Sequence, residues 1–249
     1  MNQVDSQVRR VALVTGAARR IGAAIATFLH QKGYRVAIHY HASSKEALAL
    51  VNDLNEIRAG SAQGFKANLA LKEEAIAVVH EVASWAGQLD LLVNNAALFA
   101  RIEPDPLEDA LWDALFTLNV RAPFWLSHTA YPLLKRQRGS IVNITDRHAA
   151  SPLKQYAVYC QSKAALSMQT KALAGEFAPD VRVNAVAPGA IAWPEHKNAL
   201  SPAQQVRIIE KTLLKQHGDP IFIAEAVWAF VNNPFITGQT LCVDGGRGA

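Results

Sequence analysis

Val11-Ala12-Leu13-Val14-Thr15-Gly16-Ala17-Ala18-Arg19-Arg20-Ile21-Gly22 is the stretch whose reading decides the fold. The apolar run Val11–Val14 predicts a buried strand, and the alanine-rich sequence after Gly22 predicts a helix, so Thr15–Gly22 is a strand-to-helix turn. Gly16 lets the chain turn where a Cβ would clash, and Gly22 allows close packing. The free N–H groups and positive dipole end of the following helix suit a pyrophosphate. Arg19 and Arg20 are unusual here: guanidinium groups bind planar anions bidentately and stack on rings, which suggests an extra phosphate or an electron-rich ligand. Two glycines in such a turn also occur for backbone reasons alone.

The next segment adds weight. Tyr34–His39 reads as a short apolar strand, Tyr40-His41-Ala42-Ser43-Ser44 follows it, and a helix from Lys45 completes a βαβ unit. A carboxylate about twenty residues past the glycines would hold a ribose 2′-hydroxyl and repel a 2′-phosphate. That place offers His41, Ser43 and Ser44, with Arg19 expected nearby, so NADPH suits the chain better than NADH. The serines read equally well as caps of the next helix.

The chain of 249 residues, half of them apolar, is expected to form one domain over residues 1–249, without linker or repeat. Its apolar runs are too short to cross a bilayer and Met1–Arg10 is polar, so a cytoplasmic protein without membrane contact is expected. Cys160 and Cys242 offer neither a disulfide framework nor metal spacing, and no metal is expected. The net charge of +4 with scattered arginines does not indicate a nucleic-acid protein.

Strands are predicted at Val11–Thr15, Arg35–His39, Ala62–Ala67, Leu89–Asn94, Ser140–Thr145, Val181–Ala187 and Thr240–Val243, alternating with amphipathic helices. Continuous apolarity in several of them indicates parallel strands covered on both faces. The fold class is α/β: a Rossmann-type doubly wound parallel sheet of about seven strands with helices on both faces, whose ligands lie at the carboxyl ends of the strands. There stand Asn68-Leu69 and Asn94-Asn95-Ala96-Ala97-Leu98-Phe99. Asn68 has the groups to pair with an adenine edge, and the small residues would let the backbone run beside a flat cofactor. Each also serves as an ordinary turn residue.

The strand ending at Thr145 leads into Asp146, and the next helix carries Tyr159 and Lys163 one turn apart on the same face. A cation beside a phenol favours phenolate, lowering the tyrosine pKa from about 10 and suiting it to general acid–base work. Asp146 can position Tyr159 or pass it a proton, where a serine would be only a neutral relay; it also reads as a cap of the loop.

The glycine turn, Asn94-Asn95-Ala96, Asn119 in a long helix, Tyr159 with Lys163, Pro188-Gly189 and Val243-Asp244-Gly245-Gly246 together resemble the short-chain dehydrogenase/reductase family, from Val11 to Gly246. The resemblance implies Tyr159 as proton donor, Lys163 on the nicotinamide ribose and lowering the tyrosine pKa, and Asn119 holding a water in a proton relay. It also implies a homotetramer and a cofactor wall of Gly16, Arg19, Arg20, Ile21, Gly22, Tyr40, His41, Ala42, Ser43, Asn68, Leu69, Asn95, Ala96, Ala97, Thr145, Pro188, Gly189 and Ile191, for NADPH or NADP. Arg20 replaces the usual middle glycine and Asp146 the usual serine; with Tyr40-His41 and Phe99, these changes are similar to the pteridine reductases.

That subfamily implies a pterin between Phe99 and the nicotinamide, Arg20 on pterin and cofactor phosphate, and Asp146 joining Tyr159 in proton delivery. Ala42, Asn68, Ala97 and Ile191 depart from its common pattern. Residues around 190–216 are expected to cover the substrate, with Trp193 as a further wall or as packing, and Arg247 could reach a neighbouring subunit's pocket. The leading expectation is NADPH-dependent reduction of a dihydropterin or folate: dihydrobiopterin, dihydromonapterin or dihydrofolate. The alternatives are a 3-oxoacyl-type carbonyl reductase and a catalytically silent NADP-binding redox sensor.

Overall fold

The computed structural model describes residues 10–102, 109–195 and 198–247. Of the sequence expectations, the polar stretch before Arg10 and His196 and Lys197 of the covering segment lie outside the described residues. Strands β1 (Val11–Val14), β2 (Arg35–Tyr40), β3 (Ala62–Lys66), β4 (Leu91–Asn94), β5 (Ser140–Ile144), β6 (Arg182–Pro188) and β7 (Thr240–Val243) form one sheet in the order β3-β2-β1-β4-β5-β6-β7. Every neighbouring pair is parallel. The strand positions follow the sequence reading, with small shifts. Leu89, expected in β4, precedes the ladder, where the Asp90 carboxylate accepts from Val11 N–H at 2.8 Å.

Because successive strand residues face opposite sides, β1 supplies both cores. Ala12 and Val14 pack with Ile25 and Leu29 of α1 (Arg20–Gln31), Leu54 of α2 (Ser44–Ile57) and Val227 of α8 (Pro220–Asn232). Val11 and Leu13 pack with Val79 of α3 (Lys72–Ala86), Leu126 of α5 (Ala122–Gln137) and Leu173 of α6 (Ala157–Phe177). All four β1 residues are fully buried, which is why the strand reads as continuously apolar. α4 (Asp109–Phe116) runs into α5 through a π-helical turn, Thr117–Arg121, where Ala122 N–H donates to Thr117 O. That turn carries Asn119.

The chain proceeds outward from β1 through β2 to β3, then returns to β4 on the other side. β1 and β4 therefore flank the switch point, and a crevice opens beyond their carboxyl ends. α7 (Pro202–Glu210), started by a Ser201/Gln204 capping box, lies between β6 and α8. Among the described residues, no helix is long and apolar enough to cross a membrane.

Candidate active site

The crevice is a cavity of about 1050 Å³, walled by the glycine turn, the loops after β2 to β6, and the segment after Pro188. At its first end, Gly16 has φ +60°, a left-handed conformation suited to glycine. A Cβ on Gly22 would lie 2.3 Å from Gly16 O and 2.6 Å from Asn95 Nδ2, so close packing fixes that residue. Arg19 precedes α1 without making a side-chain cap, and no acid stands in the first turn. The helix thus presents an uncapped, positively polarised N-terminus to the cavity, as a pyrophosphate requires.

His39 completes this turn and was not singled out by sequence reasoning. Gly16 N–H donates to its Nδ1 at 3.1 Å, and its Nε2 lies 3.1 Å from Ala67 O. A carbonyl only accepts, so the proton sits on Nε2. Burial lowers the His39 pKa to about 4 and keeps the ring neutral, although the Ala67 bond opposes the shift. The available signal was a histidine inside an otherwise apolar strand. Asn95 ties the turn to β4: its Nδ2 donates to Thr15 O at 2.8 Å and Gly16 O at 3.1 Å. Thr15 Oγ1 accepts from the N–H groups of Asn95 and Ala96.

At the other end stand Asp146, Tyr159 and Lys163. The Tyr159 hydroxyl donates to Asp146 Oδ2 at 2.7 Å, while Asp146 Oδ1 accepts from His148 N–H at 2.7 Å and caps the short turn Arg147–Ala149. Lys163 is buried and donates to Ile144 O at 2.9 Å. Among the described residues this is the one hydrogen bond of its ammonium, which has three donors, so the remainder suit a polyhydroxylated ligand such as a ribose. Burial lowers the Lys163 pKa to about 8, with Asp146 opposing.

The expected lowering of the Tyr159 pKa by Lys163 is corrected. Burial foremost, then the charge and hydrogen bond of Asp146, raise the phenol well above its ordinary value. Lys163 Nζ lies 6.0 Å from the tyrosine ring centroid and is directed to a backbone carbonyl. Tyr159 is accordingly a neutral hydrogen donor in this arrangement.

Most of the expected site residues border the cavity, and two do not. Ala42 is exposed and outside the wall. Asn119 lies behind it. Its Oδ1 accepts from Leu98 N–H at 2.8 Å, and its Nδ2 donates to Leu98 O at 3.0 Å and Ser162 Oγ at 2.9 Å. Its side-chain amide clasps the loop after β4 to α6. Asn68 keeps its place on the wall, with its Oδ1 accepting from Ala70 N–H at 3.1 Å. Leu69 and Ile191 also border the cavity but bury their side chains in the cores.

The arginines differ most from expectation. Arg20, with φ +55°, donates through Nη2 to Ala192 O and Trp193 O, both at 3.0 Å. Arg19 makes a loose, exposed contact of 3.7 Å with Glu195. Both border the cavity and reach toward the segment after Pro188. Trp193 packs at 4.3 Å against His217 while bordering the cavity. Arg247 borders the cavity of its own chain, beside the largely buried Arg147–Asp244 ion pair.

Phe99 faces the cavity, stacked on Tyr156 at 4.5 Å and edge-on to Tyr159 at 4.8 Å. Asn198 donates to Phe99 O at 2.9 Å and accepts from the Tyr156 hydroxyl at 3.0 Å, which in turn accepts from Arg101 Nε at 2.9 Å. Sequence reasoning missed this network; the available signal was Tyr156 standing one helical turn before Tyr159.

A family model described as enoyl-(acyl carrier protein) reductase matches residues 16–247. The chain is 36% identical over 245 residues to 3-oxoacyl-(acyl-carrier-protein) reductase FabG of Staphylococcus epidermidis, covering 96% of this chain and 99% of that protein. It is 35% identical to a granaticin polyketide synthase putative ketoacyl reductase of Streptomyces violaceoruber, covering 97% of each. Among solved structures, a blue fluorescent protein from a metagenomic library, in complex with NADPH, aligns at TM-score 0.89 and 30% identity, covering 96% of this chain and 98% of that one. A Serratia marcescens short-chain dehydrogenase/reductase mutant aligns equally well, at TM-score 0.89 and 30% identity with the same coverage. The names of the Staphylococcus epidermidis and Streptomyces violaceoruber reductases refer to 3-oxoacyl and ketoacyl groups and not to pterins. The parallel sheet agrees with the fold of these solved structures, and the family model and the sequence relatives cover almost the whole chain: the chain belongs to the short-chain dehydrogenase/reductase family.

Proposed function

We propose that this protein is an NADPH-dependent reductase of a flat, electron-poor heterocycle of the dihydropterin class. The 2.7 Å hydrogen bond between Tyr159 and Asp146 carries the reading. The uncapped N-terminus of α1 would hold the pyrophosphate and Lys163 the nicotinamide ribose, with Arg19, His41 and Ser43 near the 2′-phosphate. When bound there, the reduced nicotinamide would supply a hydride to the carbon of a C=N bond of the substrate. The ring nitrogen must then take a proton, which Tyr159 gives from its hydroxyl. A tyrosinate left beside a carboxylate would be strongly disfavoured, because burial and the Asp146 charge both raise the phenol pKa. Asp146 would pass a solvent-derived proton to the tyrosine oxygen as the phenol proton leaves, so that no tyrosinate remains beside the carboxylate. Phe99, held by Tyr156 and Asn198, supplies an aromatic wall for the heterocycle.

The named relatives support a second reading better than this one: reduction of the carbonyl of a 3-oxoacyl thioester. Tyr159 serves there as well, with the proton going to the carbonyl oxygen. Asp146, Arg20 and Phe99 support the pterin. Loss of NADPH absorbance on adding 7,8-dihydrobiopterin, dihydrofolate or acetoacetyl thioester separates the two. Turnover of a dihydropterin above the thioester supports the first reading, and the reverse preference replaces it with the second. No turnover of any of them favours the silent sensor.

A further inference from the structure

We propose that His148 accepts a hydrogen bond from a donor on the substrate and thereby selects heterocycles that carry an N–H or amino group along the rim facing Asp146. The inference deepens the dihydropterin reading and rests on it.

The ring is held in relation to the proton-delivery pair. Asp146 caps the turn that carries His148, with one carboxylate oxygen on His148 N–H and the other on the Tyr159 hydroxyl, each at 2.7 Å. The imidazole is fixed separately: its Nδ1 lies 2.7 Å from Ser151 O. A carbonyl has no hydrogen to give, so Nδ1 carries the proton. Arg147 Nη1, 3.5 Å from the same nitrogen, would ask for the opposite tautomer, but at that distance it does not compete with the Ser151 bond. The bulk of the Arg147 guanidinium is engaged elsewhere, with Nε 3.5 Å from Asp244 Oδ2 and Nη2 3.2 Å from Arg247 O.

This leaves the Nε2 lone pair. His148 borders the cavity, and its Nε2 has no protein partner among the described residues. Burial, with Arg147 and Arg247, lowers the His148 pKa, while the Ser151 bond and Asp146 oppose the shift; the net result favours the neutral ring that an acceptor requires. Two acceptors, Asp146 and His148 Nε2, therefore stand two residues apart on one rim. A dihydropterin has ring N–H and amino donors to meet them. A 3-oxoacyl thioester has no donor beside its ketone, so His148 would give it nothing.

The test uses the full chain with NADPH and 7,8-dihydrobiopterin. His148→Phe should raise KM about tenfold, the loss of one hydrogen bond to a neutral group, with kcat nearly unchanged and the NADPH Kd equal to wild type. His148→Gln, which restores an acceptor, should recover most of the affinity. An unchanged KM in His148→Phe overturns the inference while leaving the dihydropterin reading intact. Equal losses of NADPH and pterin affinity in both variants would make His148 a packing residue and also overturn it. If the wild-type protein neither binds nor reduces the pterin, both the inference and the reading beneath it fall.

Discussion

The two ends of the cleft are built in different ways. The phosphate end uses backbone: a left-handed glycine, an uncapped helix start and a buried neutral histidine, braced by Thr15 and Asn95 between β1 and β4. The reducing end uses side chains. Asp146, in the loop after β5, meets Tyr159 of α6, and Arg20 reaches Ala192 and Trp193 across the cavity mouth. Backbone geometry on adjacent strands suits a cofactor shared by a whole family. Side chains on loops can be exchanged singly, so substrate choice resides there.

The contrast predicts that damage at the reducing end stops chemistry while sparing cofactor binding. Tyr159→Phe should lower kcat by roughly 10²- to 10⁴-fold, the range of a positioned acid–base group, with the NADPH Kd within a factor of about two. If NADPH binding falls in parallel, the two ends are not separable. At the phosphate end, Gly22→Ala places its Cβ 2.3 Å from Gly16 O. Forced overpacking of this kind costs about 1–3 kcal/mol, so thermal unfolding should move down and NADPH affinity should drop. A variant with unchanged Tm and affinity would show that the close approach there is not required.

A smaller effect concerns pH. Burial holds the Lys163 pKa at about 8, below its usual 10.5. The folded chain then binds fewer protons than the unfolded chain between those values. The stability penalty of this buried lysine is therefore full below pH 8 and disappears as pH rises through the window. Binding has the opposite dependence. The ammonium that would hold the ribose is lost above about pH 8, so NADPH affinity should weaken there, and Lys163→Met should remove that dependence. Smallest is Arg20→Ala. Loss of its two bonds to Ala192 and Trp193 should speed amide exchange around residues 192–195 and raise substrate KM a few-fold, the scale of about 1 kcal/mol per net hydrogen bond. Unchanged exchange would mean that the segment is held by Asn198 and Trp193 alone.

The same contrast explains what was legible in the sequence. β1 announces itself because both its faces are covered, Gly16 because its backbone is left-handed, and Gly22 because a Cβ would meet Gly16 O. The Tyr159–Lys163 pair follows from helical spacing. The Arg20 clamp spans a separation of 172 residues and the Asn198–Phe99 bond one of 99, and no local pattern encodes such meetings. The raised phenol pKa was misread for the same reason. Spacing along α6 places the lysine near the tyrosine, but only the folded loop shows the lysine turned to Ile144 O and the carboxylate in contact with the phenol. Asn119 was recognised by position, yet its partners Leu98 and Ser162 come from other elements.

The most direct test of proton delivery by the Asp146–Tyr159 pair is the ratio of kcat/KM for 7,8-dihydrobiopterin to that for acetoacetyl thioester, measured in wild type and in Asp146→Ser. A neutral relay in place of the carboxyl should reduce that ratio by about tenfold or more, within the range of a lost acid–base contribution, while NADPH affinity stays the same. A ratio that favours the thioester in wild type, or that is unaltered by the substitution, would contradict the account.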